Sequence, residues 1–249
     1  MIVLLTDFGQ SEYVGVMKGV IYSVHRQGQI VDLCHDIASQ NLIEASWVLK
    51  NSYSYFPQST TFCCVVDPGV GTERKALAIK TQHYYFVAPD NGLLSETLKE
   101  QKVMSVRQIP IPQDASRTFH GRDVFAKAAA RIEMGRFDEL GPETNEMKEL
   151  ELYQNGPEGL VVRIDKFGNI VTNIPSRRKS KYTVEIGQRV PAGRGPKAYP
   201  MGFHATYDKA RDNELFLIEG SNNTLEISLK NGAANDLLNL SSGVQIRIS

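Results

Sequence analysis

Four aspartates mark out the chemistry this chain could do. Asp7, Asp36, Asp67 and Asp90 each come directly after, or within three residues of, a run that reads as a β-strand. In open α/β sheets the ligand crevice lies outside the carboxyl ends of the strands, so one edge would collect several acids. Asp7 is followed by Phe8-Gly9 and Asp67 by Pro68-Gly69-Val70-Gly71, turns that let the backbone approach a ligand closely. For any single one of these acids a helix cap or a turn is the plain alternative, because Asp is favoured at both. Thr118-Phe119-His120-Gly121-Arg122-Asp123 opens a helical pattern and sets His120 at a helix N-terminus, where a neutral imidazole is favoured. Farther along, Asp165-Lys166-Phe167-Gly168-Asn169 offers a carboxylate, an aromatic face and an amide within five residues. That trio is able to hold a nucleobase and an amine.

Regular elements must position these groups. The first 135 residues alternate β-branched runs with helical patterns, as an α/β domain with a mainly parallel central sheet requires. Strands are expected at 2–6, 29–34, 61–66, 76–80 and 84–88, and helices at 13–26, 42–55, 93–100 and 122–134. Asn155-Gly156-Pro157 reads as a linker. Short strand-like runs follow at 159–165, 170–174, 182–187, 214–218, 224–229 and 243–248, the pattern of a smaller all-β domain. The expected domains are residues 1–154 and 158–249.

Composition narrows the partners. In 249 residues, 28 Lys and Arg balance 28 Asp and Glu, which removes the global basic field that nucleic-acid binders use and favours a small molecule. Residues 177–197 carry seven Lys or Arg against the single Glu185, and with Tyr182 as the lone aromatic this reads as a solvated loop. No apolar run approaches the ~20 residues that span a bilayer, and Ile2-Val3-Leu4-Leu5 has no basic region before it, so neither a membrane partner nor a signal peptide is expected. Cys34, Cys63 and Cys64 cannot all pair within one chain and have no C-x-x-C spacing, which points to the cytoplasm. Cys63 and Cys64 sit inside an apolar run and read as small buried residues.

Taken in order, the motifs carry a resemblance. They are Thr6-Asp7-Phe8-Gly9, Tyr13-Val14-Gly15 with Met17-Lys18-Gly19, Val66-Asp67-Pro68-Gly69-Val70-Gly71-Thr72 with Arg74, and Pro89-Asp90-Asn91-Gly92, followed by Phe119-His120-Gly121-Arg122-Asp123 and Phe167-Gly168-Asn169 with Thr172-Asn173. Over nearly the whole chain it resembles the S-adenosyl-L-methionine (SAM) hydroxide adenosyltransferases, adenosine-forming SAM hydrolases related to fluorinase and chlorinase. The resemblance implies a barrel-like C-terminal domain and a homotrimer whose SAM sites lie between the N-domain of one subunit and the C-domain of its neighbour. It also implies attack of water or hydroxide on C5′ of SAM, giving adenosine and L-methionine with no metal and no cofactor. The family's Asp, Arg and His set falls on Asp67, Arg74 and His120, and either Asp67 or His120 could serve as the base.

The implied substrate contacts are Asp7 to the ribose hydroxyls, Asp165 to the methionine amino group, Phe167 and Asn169 in the adenosine pocket, Tyr207 stacked on adenine, and Ser221 in a Gly-Ser turn. The segment Gly9 to Tyr13 is one residue shorter than the family pattern and carries Glu12 in place of Asp, at the methionine end. Gly121 stands where a halogenating relative has a hydroxyl residue that holds the halide. Two rivals remain. A metal-dependent phosphoesterase would use Asp7, His35, Asp36, Asp67 and His120, but no D-x-H or H-x-x-x-H spacing is present. A non-catalytic SAM or adenosine binder would be preferred were any of Asp67, Arg74 or His120 missing.

Overall fold

A run such as Ile2-Val3-Leu4-Leu5 is stable as a strand only where both faces of a sheet are covered, and all four side chains are fully buried in the computed structural model. The structure describes residues 1–187 and 197–249 and divides into two units, Met1–Glu151 and Leu152–Ser249.

In the first unit, β1 (Ile2–Thr6), β2 (Ile30–Cys34), β3 (Thr61–Val65), β4 (Ala76–Thr81), β5 (Tyr85–Pro89) and β6 (Val103–Ile109) form one sheet in the order β2-β1-β3-β5-β4-β6. β1 pairs in parallel with β2 and β3, and β3 with β5, whereas β4 runs antiparallel to both β5 and β6. The expected α/β domain with a mainly parallel sheet is therefore found, with β4 alone reversed. Because β1, β2, β3 and β5 point the same way, Asp7, Asp36, Asp67 and Asp90 all leave the sheet at one edge.

Helices cover both faces. α1 (Glu12–Val24) turns Val14, Met17 and Ile21 inward at helical spacing and packs with α4 (Ala126–Glu133) over Ile2, Leu4, Cys63 and Val65. α4 presents Ala126, Ala128, Ala129 and Ala130 to this layer, and such small side chains allow a close approach to the sheet. α2 (Leu42–Lys50) covers the other face, over Val3, Leu5, Phe62 and Cys64. The adjacent cysteines thus face different layers, as alternation along a strand demands, and both are fully buried. Truncating a core residue such as Ile21 to Ala would cost about 2–5 kcal/mol.

Three expected helices are shortened, the one at 93–100 among them. The one expected at 42–55 stops at Lys50, where the Asn51 side-chain amide donates to the Trp47 carbonyl at 2.8 Å, and only a single 3₁₀ turn, Tyr53–Tyr55, follows. The one expected at 122–134 begins as a π-helical turn, Gly121–Phe125, before α4. α3 is the short Ser95–Leu98.

The second unit is a closed barrel of β7 (Glu158–Ile164), β8 (Ile170–Pro175), β9 (Lys181–Ile186), β10 (Lys197–Phe203), β11 (Leu215–Glu219), β12 (Thr224–Leu229) and β13 (Gln245–Ile248), with the short α5 (Ala234–Leu238). Its strand order is β10-β11-β12-β8-β7-β13-β9, which bears out the expected barrel-like domain. Tyr182, Val184 and Ile186 from β9 and Ile246 and Ile248 from β13 alternate into its core. Of the basic stretch, Arg189 and Arg194 lie outside the described residues, and Arg178 is paired with Glu219, Nε to Oε2 at 2.9 Å.

Candidate active site

The turn after β3 sets the first group. Val70 N–H donates to the Asp67 carbonyl at 3.2 Å and Thr72 N–H to the Gly69 carbonyl at 3.2 Å, winding residues 67–72 into successive tight turns. Gly71 holds φ at +77°, and a Cβ there would lie 2.3 Å from the Arg117 carbonyl oxygen. Only glycine lets this turn close onto the segment that delivers His120. Arg74, just before β4, then reaches back across the turn to Asp67.

Asp67, Arg74 and His120 meet in a buried cluster. Arg74 Nε donates to both carboxylate oxygens of Asp67 at 3.0 Å, and Nη2 donates to Asp67 Oδ2 at 2.5 Å and lies 2.7 Å from His120 Nδ1. The Arg74 and Asp67 side chains are 3% and 6% exposed, so the pair is removed from water and screened little by salt. Arginine has only donors, so His120 Nδ1 must be the acceptor and the proton of the neutral ring sits on Nε2. Burial, and after it the charge on Arg74, hold the His120 pKa below the ordinary imidazole range. The guanidinium rests over the fully buried Phe125 ring, 5.2 Å from its centroid. Arg74 Nη1 is buried and has no hydrogen-bond partner among the described residues.

Asp67 and His120 open on a cavity of about 260 Å³ at the carboxyl edge of the sheet, which Asp7, Phe8, Tyr13 and Phe119 also line. Asp7 Oδ2 accepts from the backbone N–H of Gln40 at 2.8 Å, which leaves Oδ1 free for a ligand. Asp123 fixes the loop beside the cavity by accepting from Ser116 N–H at 2.9 Å while Arg122 Nε donates to its other oxygen at 2.7 Å. The carboxylate is held below its usual range first by that arginine.

Of the four strand-end acids, then, Asp7 and Asp67 line this cavity and the other two do not. Asp36 is exposed, and Asp90 is a structural acceptor for Lys148 N–H at 2.7 Å. His35 places Nδ1 against the Thr6 hydroxyl at 2.8 Å and is also outside the lining. Glu12 is exposed at the start of α1, between Ser11 and Tyr13, which do line the cavity. Ser39 and Gln40 are lining residues that sequence reasoning missed; neither belongs to a motif that signals a site. A larger cavity, about 430 Å³, lies beside Leu77, Ile79 and Leu150, but Asp90 in its wall is already engaged and Lys99 donates to Glu96 at 2.7 Å.

Within the barrel unit, Asp165 shapes its own loop. Its Oδ1 accepts from Phe167 N–H at 2.8 Å and Asn169 N–H at 2.9 Å, and Oδ2 accepts from the Asn169 side-chain amide at 2.9 Å. Gly168, at φ +78°, closes this loop onto Ala233. Asn169 is buried in consequence, while Phe167 projects with 66% of its surface exposed. Tyr207 is half exposed and packs edge-on against Phe216, with centroids 6.0 Å apart. Ser221 is exposed in the turn between β11 and β12. The barrel adds one acid that sequence reasoning missed: burial, and then the charge on Asp165, push Glu226 above its ordinary carboxyl range. The same Glu226 comes second to burial in raising Tyr207. Its only sequence signal was a lone acid inside the apolar run Thr224–Leu229.

Among the described residues, no three of His, Cys, Asp or Glu converge as a metal site would require, and no helix is long and apolar enough to cross a membrane. Comparison with known proteins agrees with the geometry. Residues 2–141 match the SAM hydroxide adenosyltransferase N-terminal domain and residues 159–247 the corresponding C-terminal domain. The chain is 34% identical to the (R)-S-adenosyl-L-methionine hydrolase of Thermus thermophilus, covering 98% of this chain and 97% of that one. It is 37% identical to the hydrolase of the same name from Methanocaldococcus jannaschii, covering 96% and 92%. A fluorinase from Nocardia brasiliensis is more distant, at 25% identity over 76% of each chain. A crystal structure of an uncharacterized conserved protein from Thermotoga maritima superposes with a TM-score of 0.88 at 34% identity over the full length of both chains. Matched across both of its domains, this chain belongs to the SAM hydroxide adenosyltransferase family.

Proposed function

We propose that this protein hydrolyses S-adenosyl-L-methionine to adenosine and L-methionine by attack of water on C5′. The observation that carries the reading is the buried Asp67–Arg74–His120 cluster opening on a cavity that also holds Asp7. The leaving group is already activated, because a sulfonium departs as a neutral thioether, so the weak partner is water. As the C5′–O bond forms and the C5′–S bond breaks, the water proton must leave. His120 Nδ1 is committed to Arg74, so the acceptor role falls to Asp67, whose Oδ1 meets only Arg74 Nε and keeps a lone pair, while Oδ2 accepts from both Nε and Nη2. Arg74, bonded to Asp67 and His120 but not itself among the residues lining the cavity, is proposed to steady the developing negative charge through its positive charge, and neutral His120 helps hold the guanidinium in place. Charge cancels as hydroxide-like oxygen meets sulfonium, so a dry pocket with fixed dipoles favours the step.

Asp7 is proposed to bind the ribose hydroxyls, Asp165 the methionine amino group, and Phe167, Asn169 and Tyr207 the adenosine, with Ser221 and Glu12 as further contacts. The reaction on this reading needs no metal or cofactor, and the protein works as a cytoplasmic homotrimer with neither nucleic acid nor membrane as partner. Light scattering should give three times the monomer mass. Chromatography of products from SAM with and without EDTA tests the chemistry: equal amounts of adenosine and methionine in both support it. Activity that vanishes with EDTA and returns with Mg²⁺ or Mn²⁺ would instead favour a metal-dependent phosphoesterase-type site, and tight SAM binding without turnover a sensor.

A further inference from the structure

The cavity has an aromatic corner that the hydrolysis itself does not require. Phe8, Tyr13 and Phe119 stand with ring centroids 5.6, 5.8 and 4.9 Å apart and interplanar angles of 67°, 79° and 63°. Three rings so steeply inclined to one another make a corner of a box, and all three line the same cavity as Asp67 and His120. Tyr13 keeps 45% of its surface exposed, so it is not there simply to fill the core. The Phe119 ring already carries a cation, with the Arg122 guanidinium carbon 5.4 Å from its centroid.

Resting on the functional reading above, we propose that Phe8, Tyr13 and Phe119 form an onium-binding corner that reads the positive charge of the substrate's sulfonium and lets go of the neutral thioether product. A sulfonium has no N–H or O–H, so it cannot be recognised as a hydrogen-bond donor. A free carboxylate beside it would be a nucleophile held next to an activated carbon. Aromatic rings supply negative potential with no lone pair to attack, which is how quaternary ammonium ions are recognised. Asp67 is paired with Arg74, and the free Oδ1 of Asp7 is taken on this reading by the ribose hydroxyls, so attraction for the cation falls to the rings. Since the sulfonium charge fades in the transition state, the corner strengthens ground-state binding more than it lowers the barrier. Methionine, once formed, has lost the charge that held it.

The test compares SAM with S-adenosyl-L-homocysteine, the same skeleton as a neutral thioether. Wild type, Tyr13→Leu, Phe8→Leu and Tyr13→Phe are each assayed for KM and kcat with SAM and for inhibition by the thioether. Removing one ring should raise KM for SAM about 5- to 30-fold, the worth of a desolvated cation–π contact. The thioether inhibition constant should move less than about 3-fold, and the loss should fall on KM rather than kcat. Tyr13→Phe, which keeps the ring, should retain the preference. Equal weakening of both ligands would make the corner an apolar wall and overturn the inference, as would a Tyr13→Phe variant as impaired as Tyr13→Leu. Failure of the wild-type protein to turn over or bind SAM would remove the functional reading itself, whereas turnover with unchanged charge preference in the leucine variants would remove the corner alone.

Discussion

Arg74 Nη2 donates to His120 Nδ1 at 2.7 Å, and because arginine cannot accept, the histidine lone pair is committed to holding the guanidinium. Protonation of His120 would end that bond and set two cations face to face inside a buried cluster. The state of one imidazole therefore sets one of the two anchors of the Arg74 guanidinium, the other being the Asp67 carboxylate.

Activity should accordingly fall in acid along a limb below the ordinary imidazole range, since the His120 pKa is lowered by burial and then by Arg74. The unfolded chain takes up the proton first, so stability is present above the ordinary imidazole pKa and is lost as pH falls through the lowered, folded one. His120→Asn, whose side-chain oxygen can still accept from Arg74, should flatten both dependences. A kcat/KM profile whose acid limb is unchanged in that variant would sink the assignment.

Arg74 and Asp7 should separate chemistry from binding. Arg74→Lys keeps the charge but loses the planar fork, and kcat should drop about 10²- to 10³-fold with SAM affinity little changed. Asp7→Asn preserves an acceptor for Gln40 N–H yet removes the charge, and KM should rise about 10- to 100-fold, matching the 1.5–3 kcal/mol of charged hydrogen bonds. Single-turnover kinetics with calorimetric binding decides; the reverse pattern would make Arg74 a substrate-holding residue.

Gly71→Ala should lower stability by at least about 1–3 kcal/mol, because φ is +77° and the new Cβ would meet the Arg117 carbonyl. Activity should fall with it, since this contact joins the Asp67 turn to the His120 segment. Thermal melting and SAM turnover measured together check the coupling; loss of stability with full turnover would show that the two segments keep their relation without the glycine.

High chloride or fluoride should yield no 5′-halo-nucleoside by mass spectrometry, as Gly121 offers no hydroxyl. Nor is the hydroxyl easily introduced: a Cβ at Gly121 would lie 3.0 Å from Phe119 and 3.2 Å from Met17 Sδ, so Gly121→Ser should lower the melting temperature through overpacking of about 1–3 kcal/mol. A halo-adenosine formed faster than adenosine by the unaltered chain would overturn this expectation.

Legibility followed the physics of each segment. Strands buried on both faces, such as Ile2–Thr6 and Thr61–Val65, announce themselves as apolar runs, and the acids at their ends could be read with them. β6 was missed because an edge strand with Val103 and Met104 exposed carries neither a full run nor a clean alternation. β10 was missed because Pro200 and Gly202 read as breakers; the strand tolerates Pro200 because its pairing with β11 is confined to Gly202 and Phe203, leaving the proline one unladdered side. Asp67, Arg74 and His120 were nameable from motifs, but the direction of the Arg74–His120 bond, and the raised Glu226 carboxyl beside Asp165, come from packing between segments far apart in the chain.

Cys63 and Cys64 make the central strand a built-in reporter. Burial pushes the Cys63 thiol up to about 12 and Cys64 well above its usual range, so neither reacts with an alkylating reagent while the sheet is closed. Because one thiol faces the α1–α4 layer and the other the α2 layer, labelling followed by peptide mass mapping in a Cys34→Ser background would time the opening of each layer separately, on adjacent residues of one strand.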